Sequence, residues 1–135
     1  MRDKILLIED IATFRAVLSA SLRRQGYQVT SCETGATGLR AASTLAPHLI
    51  CLDLSLPDVS GVEVLSCLKA NPNTHPIPVI ICTACVDGGL GDELQRRGAA
   101  EILIKPIQPA ELFRVLRRHL RQTSKEPTIP AFSLR

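Results

Sequence analysis

Five short segments of this chain have the hydrophobic pattern of β-strands, and four of them stop abruptly at a polar or charged residue. Ile5 to Ile8 runs into Glu9 and Asp10, Leu49 to Leu52 into Asp53, Val79 to Cys82 into Thr83, and Ile102 to Ile104 into Lys105. The fifth, Tyr27 to Cys32, is more polar and reads as a strand at a sheet edge. Between these runs the period changes to that of a helix. Residues 12 to 25 place Phe14, Val17, Leu18, Ser21 and Leu22 on one face, and Gly26 follows as a C-terminal stop. A second helix spans Gly35 to Leu45 and is halted by Pro47. Ser60 and Glu63 form a capping-box signal for a third, which ends near Ala70. After a proline-rich loop, 71–78, a weaker helical pattern covers Asp87 to Arg97. Pro109 suits the first position of a final helix, with Leu112, Val115, Leu116 and Leu120 as its apolar stripe.

Strand and helix thus alternate five times. Continuous apolar strands linked by helices imply a parallel sheet covered on both faces, an α/β doubly wound fold. The pattern occupies residues 1–122. From 123 to 135 there is no periodicity and two prolines, which predicts a flexible tail or linker.

A length of 135 residues suits one domain, and 45% hydrophobic with 21% charged residues is ordinary for a globular protein. The net charge of +3 is too small to argue for direct nucleic-acid binding. There is no apolar stretch of the ~18 residues a membrane span needs, and no signal-peptide pattern at Met1-Arg2-Asp3-Lys4. A cytoplasmic location without membrane association is expected. Cys32, Cys51, Cys67, Cys82 and Cys85 are expected to be reduced and mainly buried as small hydrophobes. Cys82 and Cys85 form a C-x-x-C, but no second ligand pair accompanies it.

The chemistry lies at the strand ends. In a parallel sheet all carboxyl ends share one edge, and ligands bind there where strand order reverses. Glu9, Asp10, Asp53, Thr83 and Lys105 should therefore converge. Three clustered carboxylates repel one another unless a divalent cation joins them, and an all-oxygen set suits magnesium. A cation and the Lys105 ammonium together can hold the oxygens of a transferring phosphoryl group. Asp53, alone at the end of the central strand, is the candidate nucleophile, which would form an aspartyl phosphate. Thr83 can donate its hydroxyl to a phosphoryl oxygen. Each feature alone is commonplace; their joint placement is not.

In order and spacing, the chain resembles the receiver domain of two-component response regulators from residue 3 to about 122. The matching stretches are Ile5 to Asp10, Arg15, Asp53 to Gly61, Pro78 to Ala84, and Gly98-Ala99 through Lys105-Pro106. The resemblance implies a flavodoxin-like sheet of order 2-1-3-4-5 with five helices. It implies that Asp53 is the phosphoacceptor, that Glu9 and Asp10 hold Mg2+ with Asp53 and the Ser55 backbone carbonyl, that Thr83 is the switch hydroxyl and that Lys105 binds the phosphoryl group. A cis Lys105-Pro106 bond is implied as well. The implied partners are a sensor histidine kinase or phosphotransfer protein as donor, a downstream effector protein or separate output domain, and a phosphorylation-dependent homodimer. A receiver catalyses only its own phosphorylation and autodephosphorylation.

Two departures from that family stand out. Ile102 occupies the position where an aromatic ring often turns inward on activation, and an isoleucine cannot make that rotation. Gly88, Gly89 and Gly91 crowd the expected start of the fourth helix, where each interior glycine costs about 1 kcal/mol relative to alanine; a loose helix start is expected. On the last helix, Arg114, Arg117, Arg118, His119 and Arg121 make either a solvated basic face or a surface for an acidic partner or for self-association. Two other functions share this fold class. One is a phosphorylation-independent interaction scaffold, against which the full acidic set, Thr83 and Lys105 argue. The other is a flavin carrier, against which Glu9-Asp10 and the scarcity of aromatic residues argue.

Overall fold

The computed structural model describes residues 2–123, with side chains described for 2–120. Five strands, β1 (Lys4–Ile8), β2 (Gln28–Cys32), β3 (Leu49–Asp53), β4 (Val79–Thr83) and β5 (Glu101–Ile104), form one parallel sheet of order β2-β1-β3-β4-β5. Five helices alternate with them: α1 (Ala12–Arg24), α2 (Gly35–Leu45), α3 (Gly61–Ala70), α4 (Leu90–Arg96) and α5 (Pro109–Thr123). Both the order and the element count agree with the sequence reading. Thr123, placed in the tail by that reading, closes α5; the rest of the expected tail, 124–135, lies outside the described residues.

The apolar runs divide by parity, because alternate side chains of a strand face opposite ways. Ile5, Leu7, Cys51, Ile80, Cys82 and Leu103 pack with Leu18 and Leu22 of α1 and with Leu112, Val115, Leu116 and Leu120 of α5. The intervening residues Leu6, Ile8, Ile50, Leu52, Val79 and Ile81 pack with Ala42 of α2, Val64, Leu65 and Leu68 of α3 and Leu94 of α4. β3 and β4 are buried along their whole length, as strands covered on both faces must be. β2 buries only Val29 and sits at the edge, as its polarity predicts.

Several local expectations need correction. Val17 is 63% exposed. At about 100° per residue the buried stripe of α1 centres on Leu18 and Leu22 and leans toward Ser19, leaving Val17 on the flank. Tyr27 precedes β2 rather than beginning it. The Ser60 hydroxyl caps α3 by accepting from the Val62 amide at 3.0 Å, one position short of the capping-box pattern. α4 is shorter than expected: Gly88 (φ 65°) and Gly89 (φ 80°) are left-handed residues before the helix, and only Gly91 lies in it. The five cysteines are free, but only Cys51 and Cys82 are buried. Cys67 and Cys85 are exposed and Cys32 is half-buried. Among the described residues no helix is long and apolar enough to cross a membrane.

Candidate functional site

Strand parity continues past the strand ends and decides which side chains meet. Glu9 extends the row of Ile5 and Leu7, Asp53 that of Cys51, and Lys105 that of Leu103. The backbone supports this continuation: the Glu9 amide donates to the Cys32 carbonyl at 2.9 Å, and the Lys105 amide to the Thr83 carbonyl at 2.8 Å. All three side chains therefore emerge on the α1/α5 side of the sheet. Lys105 Nζ lies 3.1 Å from Glu9 Oε1 and 3.3 Å from Asp53 Oδ1, uniting residues up to 96 positions apart. Thr83 belongs to the opposite row, and its hydroxyl donates to the Cys85 carbonyl at 3.3 Å.

Glu9 and Asp53 are buried, at 1% and 4% exposure. Oxygens of Glu9, Asp10 and Asp53 lie within 4.8 Å of one another. Glu9 Oε2 accepts from the Ile11 amide at 3.1 Å. Asp10 Oδ1 and Asp53 Oδ2 are buried with no hydrogen-bond partner. Unpaired buried carboxylate oxygens are costly, and one lysine cannot neutralise three acids. Burial pushes the Glu9 carboxyl up, and the nearby Asp53 charge adds to this against the opposing pull of the Ile11 amide and Lys105. Burial alone would push Lys105 down, but its hydrogen bond to Glu9 and the charge of Asp53 reverse the sign and hold the ammonium above its ordinary value. The cluster is thus acidic, partly dry and short of positive charge. That is the donor set a hard cation requires. Ser55 stands two residues beyond β3 in an exposed loop, and the Lys105-Pro106 bond is cis.

Residues outside the expected set hold this cluster in place. Arg15 donates from Nη1 to the carbonyls of Glu9 at 2.9 Å and Asp10 at 3.2 Å, so it fixes the backbone of the acidic pair. The Phe14 ring faces Lys105 Nζ at 4.3 Å from its centroid. Asp58 accepts from the Gly35 and Ala36 amides at the start of α2, at 2.8 and 3.0 Å. Gly61 approaches the end of β3 so closely that a Cβ there would sit 2.5 Å from the Asp53 carbonyl oxygen. Of these, the sequence motif contained Arg15, Asp58 and Gly61 but no clue to their partners. Phe14 reads there only as a core position of α1.

The sheet order is also that of known proteins. Residues 5–117 match the family model described as the response regulator receiver domain. The chain belongs to the response regulator receiver family. It is 35% identical over 130 residues to the DNA-binding response regulator MtrA of Mycolicibacterium paratuberculosis, covering 94% of this chain and 55% of that protein. It is 36% identical over 115 residues to the response regulator PleD of Caulobacter vibrioides, covering 84% of this chain and 25% of that one. The receiver therefore spans about half the length of MtrA, and less of PleD.

Among solved structures, the receiver domain of the sensor histidine kinase PA1611 from Pseudomonas aeruginosa superposes with a TM-score of 0.82 at 32% identity, over 89% of this chain and 98% of that one. That structure has a magnesium ion coordinated in its active-site cleft. The signal receiver domain of a histidine kinase from Syntrophus aciditrophicus gives a TM-score of 0.85 at 28% identity, over 96% and 98% of the two chains. This chain is a receiver, the phosphorylation-dependent signalling module of two-component systems. Its Ile102 lies half-buried against the α2/α3/α4 side of the core, paired across the ladder with Ile81.

Proposed function

We propose that this receiver takes a phosphoryl group from a histidine kinase or phosphotransfer protein onto the carboxylate of Asp53. The observation that carries this reading is the state of Asp53 itself. It ends a fully buried central strand with one oxygen on Lys105 and the other unpartnered beside two further acids. An Asp53 oxygen attacks phosphorus as the phosphorus–nitrogen bond of the donor phosphohistidine breaks, and the leaving imidazole takes up a proton. Lys105, already within 3.3 Å of the nucleophile, holds an equatorial phosphoryl oxygen. Thr83 turns its hydroxyl from the Cys85 carbonyl to another. Glu9, Asp10, Asp53 and the Ser55 carbonyl would hold Mg2+, which when bound supplies the positive charge the donor set lacks. Water later hydrolyses the acyl phosphate. The phosphorylated state is passed to an effector protein, an output domain or a second copy of the chain.

Labelling by acetyl phosphate tests the proposal. The parent chain should take up one phosphate in the presence of magnesium and none after chelation. Asp53→Asn should take up none; labelling equal to the parent would remove Asp53 from the role. A chain that takes no label yet still binds its effector would instead be a phosphorylation-independent scaffold.

A further inference from the structure

Lys105 carries three N–H donors on a flexible stem. Two carboxylates account for part of its surroundings, Glu9 Oε1 at 3.1 Å and Asp53 Oδ1 at 3.3 Å. The ring of Phe14 supplies another part, with its centroid 4.3 Å from Nζ, inside the range in which a cation is drawn to an aromatic face. Phe14 is itself well held. Its side chain packs on the α1/α5 core cluster, and the next residue, Arg15, is tied to the carbonyls of Glu9 and Asp10. The ring is thereby fixed relative to the same acidic pair that Lys105 contacts. Only 19% of the lysine side chain remains exposed, so little water competes with the ring for the ammonium.

We propose that Phe14 is a positioning residue for phosphoryl transfer: its ring face confines the Lys105 ammonium beside Asp53, where the incoming phosphoryl oxygens will lie. This rests on the reading of Asp53 as phosphoacceptor. The ring acts through its negative face as well as its bulk, so an aliphatic side chain of similar size cannot replace it. A lysine free to swing into solvent would meet the phosphoryl group only after being reoriented, and rate would be lost.

Phe14→Leu keeps apolar volume and removes the ring face. It should lower the rate constant for labelling by acetyl phosphate about three- to ten-fold at saturating magnesium, while Phe14→Tyr retains the parent rate. Combined with Lys105→Ala, Phe14→Leu should have no further effect, since the group it positions is gone. Phenylalanines bearing increasing numbers of ring fluorines at position 14 provide a series with nearly constant packing, and labelling should slow stepwise as fluorines are added. A second readout needs no phosphorylation: acylation of Lys105 by a small amine-reactive reagent, followed by mass spectrometry, should be faster in Phe14→Leu than in the parent. An unchanged acylation rate, or a labelling loss that persists in full with Lys105→Ala, would overturn the role of Phe14. If the parent takes no label at all, the reading of Asp53 as phosphoacceptor fails separately, and the acylation rates still decide whether the ring holds the lysine.

Discussion

Both oxygens of Asp58 accept hydrogen bonds from the first amides of α2, 22 and 23 residues away, and so tie the loop after Asp53 to a neighbouring helix. The amides at a helix start are unsatisfied within the helix and carry partial positive charge, so they favour the ionised carboxylate. The Ala36 and Gly35 amides accordingly hold the Asp58 carboxyl below its usual value of 3.8. A carboxyl lowered on folding contributes stability above its unfolded value and loses it as pH falls through the folded one. Asp58→Ala should therefore melt below the parent at pH 7, and the gap should close as pH drops below about 3.8. A gap independent of pH would mean that the bonds do not depend on ionisation. Nothing in the sequence around Asp58 names Gly35 as its partner, because a side chain capping a distant helix leaves no local pattern. The Glu9, Asp53 and Lys105 contacts were more legible. Each residue ends an apolar run, and counting alternate positions back along each run puts all three on one side of the sheet.

At the scale of the element, the glycines before α4 carry opposite consequences that their spacing alone conceals. Three glycines in four positions suggested a weakened first helical turn. The structure divides them instead. Gly88 and Gly89 adopt left-handed angles outside the helix, and Gly91 is helical. An L-residue in the left-handed region costs roughly 1–2 kcal/mol, so Gly89→Ala should destabilise the chain by about that amount although the added Cβ would meet nothing within 4 Å. At Gly91 a Cβ would meet only Val86 Cβ at 3.9 Å, an ordinary contact, and alanine is the better helix former. Gly91→Ala should therefore stabilise by up to about 1 kcal/mol. Urea unfolding of the two variants measures both signs, and shifts in the same direction would contradict this assignment of the helix start. Backbone angle was the missing information, since a glycine that breaks a helix and a glycine that precedes one look alike in a sequence. The same holds for Val17. Its spacing from Phe14 and Leu18 fits a helical stripe, but where that stripe is centred depends on which helices pack beside it.

For the molecule as a whole, the acidic cluster sets function against stability. The ends of β1, β3 and β5 meet at Glu9, Asp53 and Lys105, and Asp10 adds a further carboxylate, so repulsion there acts on strands across the sheet. Among the described residues the buried oxygens Asp10 Oδ1 and Asp53 Oδ2 lack a hydrogen-bond partner. Without a cation, removing one of these charges should strengthen the fold. Sites kept for activity commonly leave such gains of about 0.5–2 kcal/mol unused. Asp10→Asn should thus melt a few degrees above the parent in the presence of a chelator, on the scale of roughly 2–8 °C per kcal/mol for domains of this size. With magnesium the order should reverse. A cation that binds only the folded chain stabilises it by mass action, about 2.7 kcal/mol at one hundred times its dissociation constant, and the variant has lost part of the donor set. Melting curves of both chains, with magnesium and with chelator, give the four values needed. If magnesium raises the two melting temperatures equally, Asp10 is not a ligand. If Asp10→Asn melts lower even in chelator, its charge is compensated by contacts other than a cation, and the strand-end cluster is a structural ion network before it is a metal site.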